Sequence, residues 1–279
     1  ARIGNSSMAM LCTRPPTALN CSSLFVHINK AGGGTITDAY TQAAQEHGLS
    51  VHLTGFHRTL DDMLSIARAE GVATDNLKLL TLVRNPWDRM VSMYQFYRPY
   101  KEFSIEGRSF DEWIRFIYSD SWPKERVTSA INMLQYSFGN QLGWLDYATA
   151  NTSNSRATGR VEWQDDDKVF YRSLELGMTT RVLRFERYED EVKPFVLREL
   201  GLDSIRVENE HASAHAPYCS YYTPETRELV RMHYARDIEE LKYSFPETCP
   251  ASSTPAHGVR ARTWRGQELG PAPGTAVSF

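Results

Sequence analysis

The sequence predicts an α/β protein with a P-loop-type central parallel β-sheet flanked by helices. Three observations predict it. Apolar strands alternate with segments of helical periodicity from residue 23 onward, the pattern of a parallel sheet covered by helices. Residues 77–83 (LKLLTLV) form the most apolar strand of the chain, and a strand apolar on both faces belongs at the centre of such a sheet. Residues 23–40 (SLFVHINKAGGGTITDAY) run from a buried strand through three glycines into a helix. A strand that turns on glycines into a helix points main-chain N–H groups and the positive helix end at one spot, which suits an anion.

Each element follows in order. Residues 1–22 lack periodicity and carry Pro15-Pro16, so an irregular arm is expected. Leu24, Phe25, Val26 and Ile28 make the first strand. After the glycines, Ile36, Tyr40, Ala43 and Ala44 recur at helical spacing, and Gly48 closes the helix. Residues 51–54 make a second short strand. Thr59 caps a helix with Asp61 and Asp62 in its first turn, ended by Gly71. After the central strand, Asn85 is a good N-cap and Pro86 fits N1. Ser109 with Glu112 makes a capping box ahead of Phe110, Trp113, Ile114 and Ile117. A helix is expected over 128–138, a long polar loop over 139–164 and a helix from Asp165 to about Leu176. A strand over 181–185 is followed by a helix over 189–200 that ends at Gly201. Thr223-Pro224-Glu225 opens a last amphipathic helix to about Tyr243. From Pro250, the pattern is lost in Pro, Ala, Gly, Ser and Thr, and a disordered tail is expected over 250–279. Residues 23–249 thus read as one domain.

Composition narrows the function classes. The chain has 279 residues, 41% hydrophobic and 23% charged, as in a soluble globular protein. A net charge of −3 gives no general basic field, so no nucleic-acid partner is expected. No apolar run is long enough to span a bilayer. The sequence starts at Ala1 without methionine, which leaves room for a removed N-terminal segment. Membrane contact is expected only through such an anchor. The four cysteines, Cys12, Cys21, Cys219 and Cys249, form no CxxC pair, so no zinc site is expected. Their even number near the two ends suits disulfides Cys12–Cys21 and Cys219–Cys249; four free thiols fit the sequence equally. Sequons at Asn5, Asn20 and Asn151 lean toward a glycoprotein of the secretory compartment.

Chemistry concentrates in two places. An ATP-hydrolysing P-loop needs Gly-Lys-Ser/Thr after its glycines. Here Lys30 precedes Gly32, Gly33 and Gly34, and no Gly-Lys-Ser/Thr occurs. The loop keeps an anion cradle without the metal–triphosphate pattern. The second place is Arg84-Asn85-Pro86-Trp87-Asp88-Arg89, at the end of the central strand where open α/β sheets bind ligands. Arg84 with Ser92, two helical turns on, can grip a second phosphate through charge-assisted bonds. Read singly, Arg84 is a surface ion pair with Asp88 and Ser92 an idle hydroxyl.

Together the two stretches resemble known motifs. Lys30-Ala31-Gly32-Gly33-Gly34-Thr35 resembles the 5′-phosphosulfate loop of sulfotransferases that use 3′-phosphoadenosine-5′-phosphosulfate (PAPS). Arg84-Asn85-Pro86-x-Asp88-Arg89-x-x-Ser92-x-Tyr94 resembles their 3′-phosphate motif. The His27-Ile28-Asn29-Lys30 variant is most similar to the Golgi carbohydrate enzymes of the heparan sulfate 2-O and 6-O type. Similarity continues in the 132–139, 183–190 and 221–243 segments. Gly34 departs from the pattern, since those enzymes carry Ser or Thr there.

The resemblance implies PAPS as donor and no metal. It implies a hydroxyl acceptor, a glycan above all, and a place in the Golgi lumen or secretory pathway. It implies that Ala31, Gly32, Gly33, Gly34 and Thr35 hold the 5′-phosphate, and Arg84 and Ser92 the 3′-phosphate. Lys30 then serves the leaving oxygen. His57, in a Gly-Phe-His segment after the second strand and next to the phosphate loop, is the expected base, with His52 the runner-up and His27 structural. Ser213, in the loop before the last helix, is expected at the nucleotide. His52, Arg58, Asn132 and His215 are expected near the acceptor. Other readings are a sulfotransferase for a small alcohol or metabolite, and a non-catalytic nucleotide- or glycan-binding module on the same scaffold.

Overall fold

A computed structural model of the chain describes residues 8–12, 21–54, 59–98, 107–119, 140–146, 158–164, 168–206 and 216–250. The central strand lies where its composition puts it. β4 (Lys78–Val83) runs between β2 (Cys21–Val26) and β7 (Met178–Arg184), parallel to both. Its side chains alternate between two apolar layers. Leu80 and Leu82 join Phe25 and Leu183 beneath α1 (Gly34–Glu46) and α5 (Lys193–Leu200). Leu79 and Val83 join Leu24, Val26 and Val182 on the other face. That face is covered by α2 (Leu60–Ala69), α3 (Pro86–Tyr97) and α4 (Phe110–Ile117), together with α6 (Pro224–His233). The Thr81 hydroxyl, fully buried, donates to the Val26 carbonyl at 2.9 Å and so costs the core nothing unpaired.

Among the described residues the sheet has seven strands; with β1 (Met8–Cys12), β3 (Ser50–Thr54), β5 (Gly159–Gln164) and β6 (Lys168–Ser173) their order is β3-β1-β2-β4-β7-β6-β5, mixed at the flanks. β1 (Met8–Cys12) lies within the 1–22 stretch expected to be irregular, and it pairs antiparallel with both β2 and β3 (Ser50–Thr54). Five residues are too few to show a period, and the strand is held by its two neighbours. At the other side, β5 (Gly159–Gln164) and β6 (Lys168–Ser173) form an antiparallel hairpin onto β7. The expected loop over 139–164 therefore ends in a strand, and the expected helix from Asp165 is β6 instead. Val169, Tyr171 and Ser173 are buried at alternate positions, a period of two that the preceding acidic run obscured.

The helix signals acted where they were written. Thr59 accepts from the Asp62 N–H, and Ser109 and Glu112 close a capping box. Gly48, Gly71 and Gly201 take left-handed backbone past their helix ends, where a side chain would be strained. The expected long last helix breaks at Tyr234 into α6 and α7 (Ala235–Glu240). Cys12–Cys21 and Cys219–Cys249 are both disulfides, and no described cysteine is free. No helix among the described residues is long and apolar enough to cross a membrane. The helix expected over 128–138 and the tail from 251 lie outside the described residues.

Candidate active site

β2 and β4 are neighbours running the same way, so the turns that follow them open at one end of the sheet. The first turn is tight. Lys30 takes φ +59° and Gly32 φ +93°, and the Ala31 N–H donates to the Ile28 carbonyl at 3.2 Å. The glycines are required by close approach as well as by angle. A Cβ on Gly32 would lie 2.4 Å from the Phe185 ring, and one on Gly33 2.4 Å from the His27 ring. His27 also stacks on Phe25, which fits the structural role expected of it. Gly33 is the N-cap of α1 and brings no side chain to its first turn, and that turn holds no acidic residue. The positive helix end thus carries no acidic residue of its own first turn, beside Gly34 and the buried Thr35.

Lys30 stands at the mouth of this turn. Its ammonium lies 4.0 Å over the Phe96 ring on α3. Among the described residues no carboxylate pairs with it. Burial, and then the positive charge of Arg84, push its pKa down to about 7. A half-buried cation next to another cation is a site short of an anion.

Arg84 leaves β4 directly after Val83 and is 9% exposed. Its Nε donates to Asp88 Oδ2 at 2.6 Å, and its guanidinium lies 4.5 Å over the Phe185 ring. The ion pair with Asp88 therefore exists, but it is largely buried and not a surface pair. Phe185 touches both turns: its ring limits Gly32 and also carries Arg84. Ser92 is buried on α3 two turns on, and its hydroxyl has no hydrogen-bond partner among the described residues.

The start of α3 is already filled by the protein's own acceptors. The Asn85 side chain accepts from the N–H groups of Trp87 and Asp88, at 3.0 and 3.5 Å. The Asn85 N–H itself donates to Glu186, whose carboxyl is pushed up mainly by burial and also receives the Tyr243 hydroxyl at 3.2 Å. Arg89, fully buried, reaches back across the site, and its Nε donates to the Asn29 carbonyl at 2.8 Å, one residue before Lys30.

The structure thus brings Lys30, Ala31, Gly32, Gly33, Gly34, Thr35, Arg84 and Ser92 onto the two turns. His57, Arg58, Asn132, Ser213 and His215 lie outside the described residues, and of His52 only the backbone, inside β3, is described. One expectation changes. β3 does not adjoin the strand of the phosphate loop, because β1 is inserted between them. Phe185, Glu186, Gln141 and Asp237 were not anticipated. Phe185 and Glu186 follow the end of β7, the position from which open α/β sheets supply ligand contacts, so that rule would have flagged them. Gln141 and Asp237 carry no local signal. A separate cleft of about 660 Å³ opens near the starts of the strands, between Lys78, Phe170, Arg181 and Phe195. Two of its five cations, Lys78 and Arg181, are already paired, with Glu199 and Glu191 at 2.9 and 2.7 Å, and it holds no residue of the two turns.

The geometry defines an α/β protein with two cationic turns side by side at the carboxyl ends of its central strands. Residues 63–148 match the family model of the sulfotransferase domain, which supports a PAPS-dependent sulfotransferase enzyme acting on a hydroxyl-bearing acceptor. That match covers less than half of the chain. It takes in Arg84 and Ser92 but not the glycine turn, which rests on its own geometry. No curated protein and no solved structure matches the chain.

Proposed function

We propose that the protein moves the sulfuryl group of PAPS to a carbohydrate hydroxyl by in-line displacement, in the Golgi lumen or elsewhere in the secretory pathway. The observation that carries this reading is the placement of two cationic turns at the same end of neighbouring parallel strands. Lys30 is a half-buried cation whose pKa is lowered by burial and then by Arg84, and the first turn of α1 beside it holds no acidic residue. Two such cations at adjacent turns suit a ligand with two separated phosphates, and the unblocked helix end fits the inner one. When bound, PAPS supplies a sulfuryl group joined to a stable phosphate leaving group.

The chain's residues do the rest. Main-chain N–H groups of 32–35 and the Thr35 hydroxyl hold the 5′-phosphate, and Arg84 and Ser92 hold the 3′-phosphate. Lys30, once an anion secures its proton, steadies the charge that grows on the bridging oxygen. His57 takes the acceptor proton. Ser213 belongs to the nucleotide, and His52, Arg58, Asn132 and His215 to the acceptor. The two disulfides and three sequons support an oxidising, secretory compartment.

Transfer of radiolabelled sulfate from PAPS to a panel of glycans and small alcohols tests the reading. Label is expected on glycans, with Lys30→Ala and His57→Ala each lowering kcat about 10²–10³-fold. Label only on small alcohols would move the acceptor class. PAPS binding with no acceptor ever labelled would refute transfer.

A further inference from the structure

Behind Arg84 lies a buried polar network whose side chains, Gln141 and Asp237, have no role in the proposed chemistry. Val83 ends β4, so the main chain of Arg84 has left the ladder with β7. One side chain takes over both of its main-chain groups. The Arg84 N–H donates to Gln141 Oε1 at 2.8 Å, and Gln141 Nε2 donates to the Arg84 carbonyl at 2.7 Å. A carboxamide paired this way imitates one more residue of neighbouring strand. Gln141 is fully buried and is itself fixed from behind. Asp237, at the middle of α7 and also fully buried, accepts from the Gln141 N–H at 2.6 Å, from the Leu142 N–H at 3.0 Å and from Gln141 Nε2 at 3.3 Å.

A separate tie joins the two turns. Arg89 is fully buried on α3, the helix that follows Arg84, and its Nε holds the Asn29 carbonyl beside Lys30 at 2.8 Å. Asp237 therefore stands behind the second turn through Gln141, and Arg89 links that turn to the first. Packing α7 against the core requires no such arrangement; an apolar residue at position 237 would satisfy that alone.

We propose that Gln141 and Asp237 are positioning residues that hold Arg84 in register with Lys30, so that the two turns keep the spacing of a nucleotide's 5′ and 3′ phosphates. The inference rests on the PAPS reading above. Gln141 acts through the backbone of Arg84, and its loss is felt at the 3′-phosphate.

The test compares two nucleotides on the full chain. Adenosine 3′,5′-bisphosphate needs both turns, whereas adenosine 5′-phosphosulfate lacks the 3′-phosphate. Gln141→Met keeps length and burial but removes both hydrogen bonds. It is expected to weaken the bisphosphate at least tenfold by calorimetry, to leave the phosphosulfate within about threefold, and to raise KM for PAPS more than it lowers kcat. Combined with Arg84→Ala it is expected to add little, because both act on one contact. Equal losses for both nucleotides, or an unchanged bisphosphate affinity, would overturn the inference while leaving the enzyme reading intact. A wild-type protein that binds no bisphosphate would instead refute the PAPS reading, and this inference with it. Amide exchange in the wild type needs no variant. The Arg84 N–H is expected to be as protected as those of β4, and rapid exchange there would also overturn the clasp.

Discussion

The turn between β2 and α1 is built from main chain, and the turn between β4 and α3 from side chains. At the first, Gly33 caps α1 with no side chain, and Lys30 and Gly32 take left-handed backbone. At the second, Asn85 caps α3, Pro86 fills N1, Asp88 grips Arg84 and Gln141 clasps the backbone. The N–H groups at the start of α3 are therefore spent on Asn85, while the start of α1 has no such side chain on it. Two helix ends at one site thus offer different things to an anion. One offers a dipole and main-chain donors, and the other offers a single aimed guanidinium.

The largest test of that difference is a methyl group. Gly33→Ala places a Cβ against the His27 ring, and the turn must move to relieve it. Stability is expected to fall by about 1–3 kcal/mol. Affinity for adenosine 3′,5′-bisphosphate is expected to fall at least about tenfold, since N–H geometry tolerates little displacement. Chemical denaturation and calorimetry on the same sample separate the two. A Gly33→Ala protein that binds like wild type would mean the backbone is not the grip.

Next in size is pH. Lys30 titrates near 7 in the free protein, and a bound anion raises that value. The extra binding is then fully present below about pH 7. It is lost as pH rises from there to the higher pKa of the complex, by up to about tenfold per unit. Lys30→Gln should flatten that slope, and Asn85→Ala should not. A slope that survives Lys30→Gln would assign the proton to another group.

The smallest effect is expected at the second turn's cap. Asn85→Ala should cost about 1 kcal/mol of stability, read from the denaturation midpoint. Bisphosphate affinity should move less than about threefold. A loss as large as that of Gly33→Ala would erase the distinction between the turns.

Much of this was legible locally. A strand such as LKLLTLV announces a sheet centre, and caps such as Thr59, Asn85 and Ser109 mark helix starts within one turn. The two motifs carried Lys30 and Arg84 for the same reason, because strand, turn and helix are contiguous there. What could not be read was held from far away. Gln141 meets Arg84 across 57 positions and Asp237 across 96, distances over which no periodicity survives. β1 failed for a related reason, since two neighbours make it a strand and its five residues alone do not. The β5–β6 hairpin did carry a period of two, but the Asp165-Asp166-Asp167 run ahead of β6 suggested a helix start.

The inserted β1 has one further effect. It runs opposite to β2 and β3, so both of those end at the same edge, with Met8 between Val26 and Thr54. Neighbouring strands stand about 4.8 Å apart, so the ends of β2 and β3 are separated by roughly 10 Å. The hairpin strand is in effect a spacer. It keeps the end of β3 two strand widths away from the end of β2, from which the glycine turn departs.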